Sequence, residues 1–283
     1  MAATTARTLV LDLLSTLRRG AMPVRALVAA GSLFSISANS VRVALARLLA
    51  DGLIERDERG AYRLGPDAQA VSRQVTAWRN LDARLRRWTG DWLGVHTAGL
   101  GRTARSRLRR RLRALDWLGF RELRPGLWIR PDNLADGVDD VRRQLHALGL
   151  ESEAIVFELT GLDPASETAA RSLWPTARLA AGYRSTRLAL ERSERALDAL
   201  PEQRAMVESF QLGGAAIRQL ALDPLLPDAL LPSDERAALL ETMQRYDRAG
   251  RACWARFMRS FGVLLHPEAP AEVRLPAAMG GRW

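Results

Sequence analysis

Residues 37–52 read SANSVRVALARLLADG, and this stretch predicts a short amphipathic helix. Either Ser37 or Asn39 can cap its first turn, and Asp51-Gly52 is typical of a helix end. The side chains expected on its buried face, at helical spacing, are Val41, Leu45, Leu48 and Leu49. Those expected on the opposite face are Asn39, Val43, Ala46 and Ala50. The stretch therefore combines an apolar inner face with an outer face of small side chains.

The outer face of this helix has the chemistry of a helix that enters the major groove of DNA. Small side chains allow a close approach, while Arg42 and Arg47 flank the face on either side. An asparagine amide suits adenine, and a guanidinium suits guanine or a phosphate. Asn39 and Arg42 are therefore expected to read bases, and Arg47 to hold a phosphate. The residues predicted to contact DNA from this helix are Ser37, Asn39, Ser40, Arg42, Val43 and Arg47.

The flanking sequence supplies the other parts of a winged helix-turn-helix over residues 1–65. Leucines at helical spacing predict a first helix, Ala6–Arg18, and Pro23 opens a second short helix that Gly31 ends. After the third helix, Leu53–Leu64 predicts a hairpin. The hairpin arginines, which are expected to hold phosphates, are Arg56, Arg59 and Arg63. The same order of elements also occurs in purely structural modules, but the arginine-flanked outer face favours DNA binding.

Charge is unevenly distributed along the chain. The net charge is +10, and all 42 basic residues are arginine. Residues 1–130 carry 24 arginines against 10 acids, a net of +14, whereas residues 131–283 carry 18 against 22, a net of −4. A generally basic surface predicts an even spread, so the first half of the chain is expected to meet a polyanion such as nucleic acid.

Residues 89–162 predict a central α+β domain of ferredoxin-like type, which follows a linker helix over residues 66–88. The expected elements alternate as strand, helix, strand, helix, strand. The three strands are Trp92–His96, Leu127–Ile129 and Ala154–Leu159, and the two helices are the arginine-rich one ending near Leu118 and Val138–Leu148.

The first of these helices begins with a run of basic residues. Residues 102–113 hold seven arginines and no acid, while Leu108, Leu112, Leu115 and Leu118 are expected on one face. A charge run is usually a solvated helix face, but like charges without acidic partners repel one another. A bound anion is therefore equally plausible, either the DNA backbone or a polyphosphate ligand such as coenzyme A. The residues predicted for this anion site are Arg102, Arg105, Arg109, Arg110 and Arg113.

Residues 163–265 predict a helical C-terminal domain, interrupted near Pro175, near Pro201 and over residues 223–232, and residues 266–283 predict a loose tail. The Gly213-Gly214 pair inside a helix indicates either close packing or a break. The fold class expected for the whole chain is thus α+β and mostly helical, with a winged helix-turn-helix, a ferredoxin-like domain and a helical domain.

Catalytic and metal-binding patterns are missing from the sequence. Asp91 stands alone before its strand, the three histidines have no ligand spacing, and Cys253 lacks a histidine and an acid partner. We therefore expect no enzyme, no metal and no cofactor.

No apolar run reaches the ~18 residues of a membrane span, and the N-terminus lacks a signal peptide, so the cytoplasm is the expected location.

Several short motifs, in this order, resemble the PaaX family of bacterial transcriptional regulators. Residues 40–48 with 50–53 resemble its recognition helix and turn. Residues 88–93, 108–120 and 125–131 are similar to its middle domain. Residues 161–162, 222–227 and 230–232 are similar to its C-terminal landmarks. The resemblance covers residues 7 to 260, and Arg42 and Arg47 match basic positions of the family's recognition helix.

The resemblance implies a three-domain repressor whose middle domain is akin to CRISPR adaptation nucleases. The best-known family members act as dimers on palindromic operators, repress phenylacetate catabolism genes and release DNA on binding phenylacetyl-coenzyme A. By resemblance we expect a homodimer that binds double-stranded operator DNA and a small acyl-coenzyme A-type effector. The alternatives are a non-catalytic nucleic-acid-binding scaffold and, third, a metal-dependent nuclease.

Overall fold

A computed structural model describes residues 4–17, 20–66, 68, 77–101 and 104–263 of the 283-residue chain. The chain forms two compact units, residues 1–72 with 251–283 and residues 73–250. Each unit is described by itself through its described residues. Arg102 of the predicted anion site, most of the first half of the predicted linker helix, and the predicted tail lie outside them.

The first unit is a winged helix-turn-helix, as predicted. Its helices are α1 (Ala6–Ser15), α2 (Val24–Leu33) and α3 (Ala38–Ala50). Its strands are β1 (Met22–Pro23), β2 (Ile54–Arg56) and β3 (Ala61–Leu64), antiparallel in the order β1-β3-β2. The core of the unit is formed by the fully buried Leu9, Leu13, Leu14, Met22, Leu27, Val41, Leu45, Leu48 and Ile54.

Two details of the predicted helix pair were wrong. Gly31 does not end the second helix, which continues to Leu33 before Ser35 adopts a left-handed backbone with φ of 57°. Gly31 instead allows close packing, because a Cβ there would lie 2.7 Å from Cγ2 of Val41 in α3. Leu49 is 43% exposed, since the inner face of α3 is completed by Ala44.

The last turns of a long C-terminal helix also belong to the first unit. The helix, α9, spans Asp234–Ser260, and its residues from 251 onward fall in this unit. There Trp254 is buried, stacks on Phe34 at a centroid distance of 6.5 Å, and meets Phe257 edge-on at 5.5 Å. Cys253, next to this cluster, is half-buried.

The second unit contains the predicted ferredoxin-like domain. Its antiparallel sheet has the order β5-β6-β4-β7, and the elements follow one another as βαββαβ. They are β4 (Trp92–His96), α4 (Arg105–Trp117), β5 (Arg121–Arg124), β6 (Leu127–Pro131), α5 (Gly137–Ala147) and β7 (Ile155–Leu159).

Strand β5 is the one element of this domain that the sequence did not predict. It lies at the edge of the sheet and pairs with β6 alone. Its sequence is RELR, with Leu123 the apolar residue and a buried one. An edge strand with one buried side chain shows no run of apolar residues, so periodicity cannot reveal it.

The expected linker helix does not continue to residue 88. Ala77–Asn80 and Asp82–Arg84 form 3₁₀ turns, and Leu85 then bridges to Leu134 in antiparallel fashion. Trp78 and Leu81, which lie at helical spacing within the predicted linker, are buried in the second unit. Their helical spacing therefore reflects two short turns held against the domain.

The rest of the second unit is helical, as predicted. It comprises α6 (Pro164–Arg171), α7 (Thr176–Ala196), α8 (Glu202–Ala221) and the first part of α9. Helix α8 runs unbroken through Gly213-Gly214, and a Cβ on Gly213 would stand 3.6 Å from both Met243 and Tyr246 of α9. Of the two readings of the glycine pair, a break is therefore wrong, and at Gly213 the helix α8 packs against α9 at ordinary contact distance. Among the described helices, none has both the length and the apolar character needed to cross a membrane.

The inner face of α4 differs from the predicted one. Leu112 is 39% exposed, whereas Arg111 is 4% exposed. Both Arg111 Nε and Nη2 donate to Glu151, at 3.0 and 2.7 Å. The hydrogen bond from Arg111 lowers the pKa of the Glu151 carboxyl. The arginine run therefore has one acidic partner, contributed by a loop 40 residues further along the chain.

Replacing Gly31 with alanine tests the contact between α2 and α3. Helix propensity alone favours alanine by up to about 1 kcal/mol, but overpacking against Val41 costs about 1–3 kcal/mol. We expect Gly31→Ala to lower the free energy of unfolding of the full chain, measured by urea denaturation. Ser32→Ala, at an exposed neighbouring position, is the control. A stabilised Gly31→Ala protein would contradict the contact.

Replacing Glu151 with glutamine tests the Arg111 ion pair. Near neutral pH the free energy of unfolding should fall by about 1–3 kcal/mol, because a buried guanidinium loses its charged partner. The folded-state pKa of Glu151 lies below its ordinary value of 4.5. The stabilisation is therefore complete above about pH 4.5 and is lost as pH falls through the lowered pKa.

Urea denaturation across pH 2–7 measures this effect, with the exposed Glu153→Gln as control. The difference between wild type and Glu151→Gln should shrink in acid. A difference that stays constant with pH would show that the carboxylate charge is not what stabilises Arg111.

Candidate nucleic-acid interface

The first turn of α3 is organised by two serines. Ser37 is the N-cap, with φ −64° and ψ 150°, and its Oγ accepts a hydrogen bond from the Ser40 amide at 3.1 Å. The two hydroxyl groups are 2.9 Å apart. Of the two capping residues that the sequence allows, the structure therefore selects Ser37, which leaves Asn39 inside the first turn with an exposed side chain.

The outer face of α3 presents the predicted residues to solvent. Asn39, Arg42, Val43 and Arg47 are all exposed, and Val43 is an unusually exposed apolar side chain at 41%. Across the part of the chain that the structure describes, no carboxylate pairs with Arg42 or Arg47. The face therefore offers an amide, an apolar contact and two uncompensated guanidinium groups.

The three arginines of the β2–β3 hairpin, the wing, are also exposed but differ in their partners. Arg63 is paired across the hairpin with Glu55, through Nε at 3.0 Å and Nη2 at 2.9 Å. The Arg56 guanidinium lies 6.0 Å from the centre of the Tyr62 ring. Arg59, at the tip, has no ion pair with any described residue. Of the three wing arginines, Arg59 is thus the one with the fewest contacts to other described residues.

Asp57 holds the tip of the wing, and the sequence analysis did not single it out. Its Oδ1 accepts hydrogen bonds from the amides of Arg59 at 3.0 Å and Ala61 at 2.8 Å. Gly60 occupies the left-handed region with φ of 77°, as expected for a tight turn. The signal that could have found Asp57 is an aspartate three residues before a glycine, where its side chain can bond the turn amides.

The base of the wing is fastened to the end of α3. The Gly65 amide donates to the Leu53 carbonyl at 2.9 Å. A Cβ on Gly65 would lie 2.4 Å from the Gly52 carbonyl oxygen, so the two backbone segments touch. The segment that follows α3 and the base of the wing are therefore in contact within the first unit, and the nine residues predicted for DNA contact are all exposed.

The arginine-rich helix α4 is a second basic surface, and it belongs to the second unit. Four of its predicted anion-site residues are exposed: Arg105, Arg109, Arg110 and Arg113. Arg113 Nε donates to the Arg109 carbonyl at 3.3 Å. In the described part of the chain, none of the four is within ion-pair distance of a carboxylate. Burial of Arg111 removes one cation from the run, and the others remain candidates for an anion.

The structure also shows where the candidate metal ligands lie. Asp91 Oδ2 accepts a hydrogen bond from the Thr89 hydroxyl at 2.8 Å. The Asp91 carbonyl accepts one from the Asp132 amide at 3.0 Å. Within the described residues, no three of the histidine, cysteine, aspartate and glutamate side chains gather in a way that could hold a metal ion.

Comparison with known proteins identifies both units. A family profile described as "PaaX-like protein" matches residues 5–68, the span of the winged helix. A second, described as "PaaX protein central Cas2-like domain", matches residues 86–170, the span of the ferredoxin-like domain. Together the two matches cover just over half of the chain.

A solved structure also resembles the chain. The uncharacterised protein Rv0674 from Mycobacterium tuberculosis is 29% identical, with a TM-score of 0.53, over 88% of this chain and 98% of that one. No curated protein matches the sequence. The two profiles agree with the order of motifs along the sequence and with both observed folds. The chain therefore belongs to the PaaX family of DNA-binding transcriptional regulators.

Proposed function

We propose that this regulator is a dimeric repressor of a catabolic operon. It binds a palindromic operator through α3 and the wing, and a small acyl-coenzyme A-type ligand, similar to phenylacetyl-coenzyme A, releases it. Membership of the PaaX family supports the catabolic role and the class of effector. The exposed, uncompensated outer face of α3 supports the mode of DNA binding.

The outer face of α3 is suited to reading bases in the major groove. Asn39 can bond an adenine edge and Arg42 a guanine edge, while exposed Val43 can contact a thymine methyl group. Arg47, one turn further along, is placed to hold a phosphate. Ser37 and Ser40 act indirectly in this scheme, because their hydroxyl groups already hold the first turn together.

The wing arginines are expected to contribute unequally to phosphate binding. Arg59 contributes most, since no carboxylate in the described structure neutralises it and Asp57 fixes its backbone. Arg63 contributes least, because its guanidinium is already paired with the Glu55 carboxylate, which reduces the charge that it can offer to a phosphate. Phosphate contacts position the protein, whereas the base contacts from α3 supply the sequence choice.

A second candidate function rests on the exposed arginines of α4. A scaffold that binds nucleic acid through this helix would bind without sequence choice and with strong salt dependence. Recovery of protein-bound fragments from sheared genomic DNA separates the two functions. Enrichment of one palindrome supports the regulator, whereas uniform recovery across sequences supports the scaffold.

The proposed operator release can be measured directly. The full-length protein is titrated against a fluorescent duplex carrying the enriched palindrome, with and without phenylacetyl-coenzyme A. We expect sequence-specific binding with two chains per palindrome and loss of anisotropy on ligand addition. Binding that does not distinguish the palindrome from a scrambled duplex would rule out the regulator as proposed.

Substitution of Arg42 tests the base readout. Arg42→Ala should weaken binding to the palindrome by about 1–3 kcal/mol and reduce the preference over a scrambled duplex. Arg59→Ala should instead weaken both duplexes alike and reduce the slope of log affinity against log salt by about 1. Arg192→Gln, an exposed arginine of α7, is the control. An Arg42→Ala protein with unchanged preference would remove this residue from the readout.

A further inference from the structure

The second unit contains a cavity of about 440 Å³, within the range typical of small-molecule sites. It lies between the segment 81–88, which leads into the ferredoxin-like domain, and the segment 226–240, which includes the start of α9. Asn133 contributes to its wall. None of the residues predicted to contact DNA or an anion lines it.

One wall of the cavity is a strained turn held by buried polar groups. Leu225 has a left-handed backbone with φ of 53°, which is costly for a leucine. Its amide donates to Asp223 Oδ1 at 2.7 Å, and its carbonyl accepts from Asn133 Nδ2 at 2.7 Å. These bonds fix the following residues, Leu226 and Pro227, in the wall. Strain of this kind is concentrated at ligand sites.

The opposite wall is fixed by backbone pairing. The Arg86 amide donates to the Asn133 carbonyl at 2.9 Å, and the Ala135 amide donates to the Arg84 carbonyl at 2.9 Å. Trp88, the last residue of this segment, contacts Trp92 edge-on at 5.2 Å, and the Arg171 guanidinium lies 4.9 Å from the centre of its ring. The wall is therefore preformed, and it includes an aromatic ring.

The lining combines apolar side chains with charged ones. Its apolar members include Leu81, Leu85, Trp88, Leu226 and Leu240. Its charged members are Arg86, Arg87, Arg236 and Asp228. Asp132 and Asp223 lie within ion-pair distance of two of these arginines, so the site offers one arginine to an anion with an apolar body.

The three guanidinium groups differ in their availability. Arg86 is paired with Asp132 at 2.5 Å. Arg236 is buried, donates to the Leu226 carbonyl at 3.1 Å and lies 3.8 Å from Asp223 Oδ1. Arg87 is exposed, and no carboxylate of the described residues is within ion-pair distance of it. Arg87 is thus the cation that remains to bind a ligand.

We propose that this cavity binds a small organic anion with an aryl or short acyl body. The anionic group pairs with Arg87 at the mouth, and the body packs against Trp88 and the leucines. This inference rests on the proposed function, in which the cavity would be the effector site. Helix α9 supplies Arg236, Ala237 and Leu240 to the wall, and the same helix ends at Ser260 in the DNA-binding unit.

Isothermal titration of the full-length protein, without DNA, tests the site. The probes are phenylacetate, phenylacetyl-coenzyme A and coenzyme A alone, so that an anchored carboxylate can be distinguished from an anchored phosphate. We expect at least one of the two aryl probes to bind, and more tightly than coenzyme A. Arg87→Gln should weaken that binding by about ten-fold or more, as for a lost charge-assisted hydrogen bond.

A second variant probes the volume of the cavity independently of charge. Ala237→Phe places a ring on a lining position that is exposed rather than in the core, and it should also weaken binding by ten-fold or more. Arg192→Gln should bind like wild type. Thermal unfolding of each variant verifies that it is folded.

Three results would overturn the inference: no binding of either aryl probe, equal binding of coenzyme A alone, or unchanged binding in both variants. Operator binding is measured separately by anisotropy. A protein that binds the palindrome but neither aryl probe refutes the cavity assignment and the proposed effector, and it leaves operator binding supported. A protein that binds an aryl probe here but selects no operator refutes the proposed function instead.

Discussion

The second unit is organised around a fully buried cation, the guanidinium of Arg130. The side chain is 2% exposed and donates to the carbonyls of Leu118, Pro131 and Pro224 and to Oδ1 of Asn133. Burial, and then the nearby Arg84, lower the pKa of Arg130, whereas Asp132 and Asp223 oppose this shift. A buried charge is tolerable when its donors are satisfied and opposite charges lie close by, and Arg130 meets both conditions.

The partners of Arg130 connect parts of the chain that are far apart in sequence. Leu118 ends α4, Pro131 ends β6, and Pro224 belongs to the turn after α8, 94 residues away. Asn133 links Arg130 to the turn at Leu225, because its side-chain oxygen accepts a hydrogen bond from Arg130 and its side-chain nitrogen donates one to the Leu225 carbonyl. Hydrogen bonds from Arg130 and Asn133 thus join the ferredoxin-like sheet to the turn between the C-terminal helices. The same bonds position Leu226, the next residue, in the cavity wall.

The two candidate sites are prepared by different physical means. The candidate DNA-binding surface is arranged by local hydrogen bonds: Ser37 caps α3, and Asp57 bonds the amides at the tip of the wing. The cavity is arranged by long-range contacts around a strained turn. Residues of a site arranged by local hydrogen bonds can be recognised in a short window of sequence. Residues of a site arranged by long-range contacts cannot. Accordingly the sequence predicted Arg42 and Arg47 as DNA contacts, but it gave no indication of Arg87 or Arg236.

What the sequence determined by itself was the type and order of most elements, because apolar periodicity and capping residues act over a few neighbouring positions. Periodicity predicted α1, α3 and the C-terminal helices, and a short apolar run predicted β4. The tertiary structure alone decided which side chains of those elements are buried. Arg111 is buried in place of Leu112 because Glu151 reaches it from a distant loop. The tertiary structure also decided that β5, the 3₁₀ turns before Leu85 and the cavity form, because each depends on residues that only folding brings together.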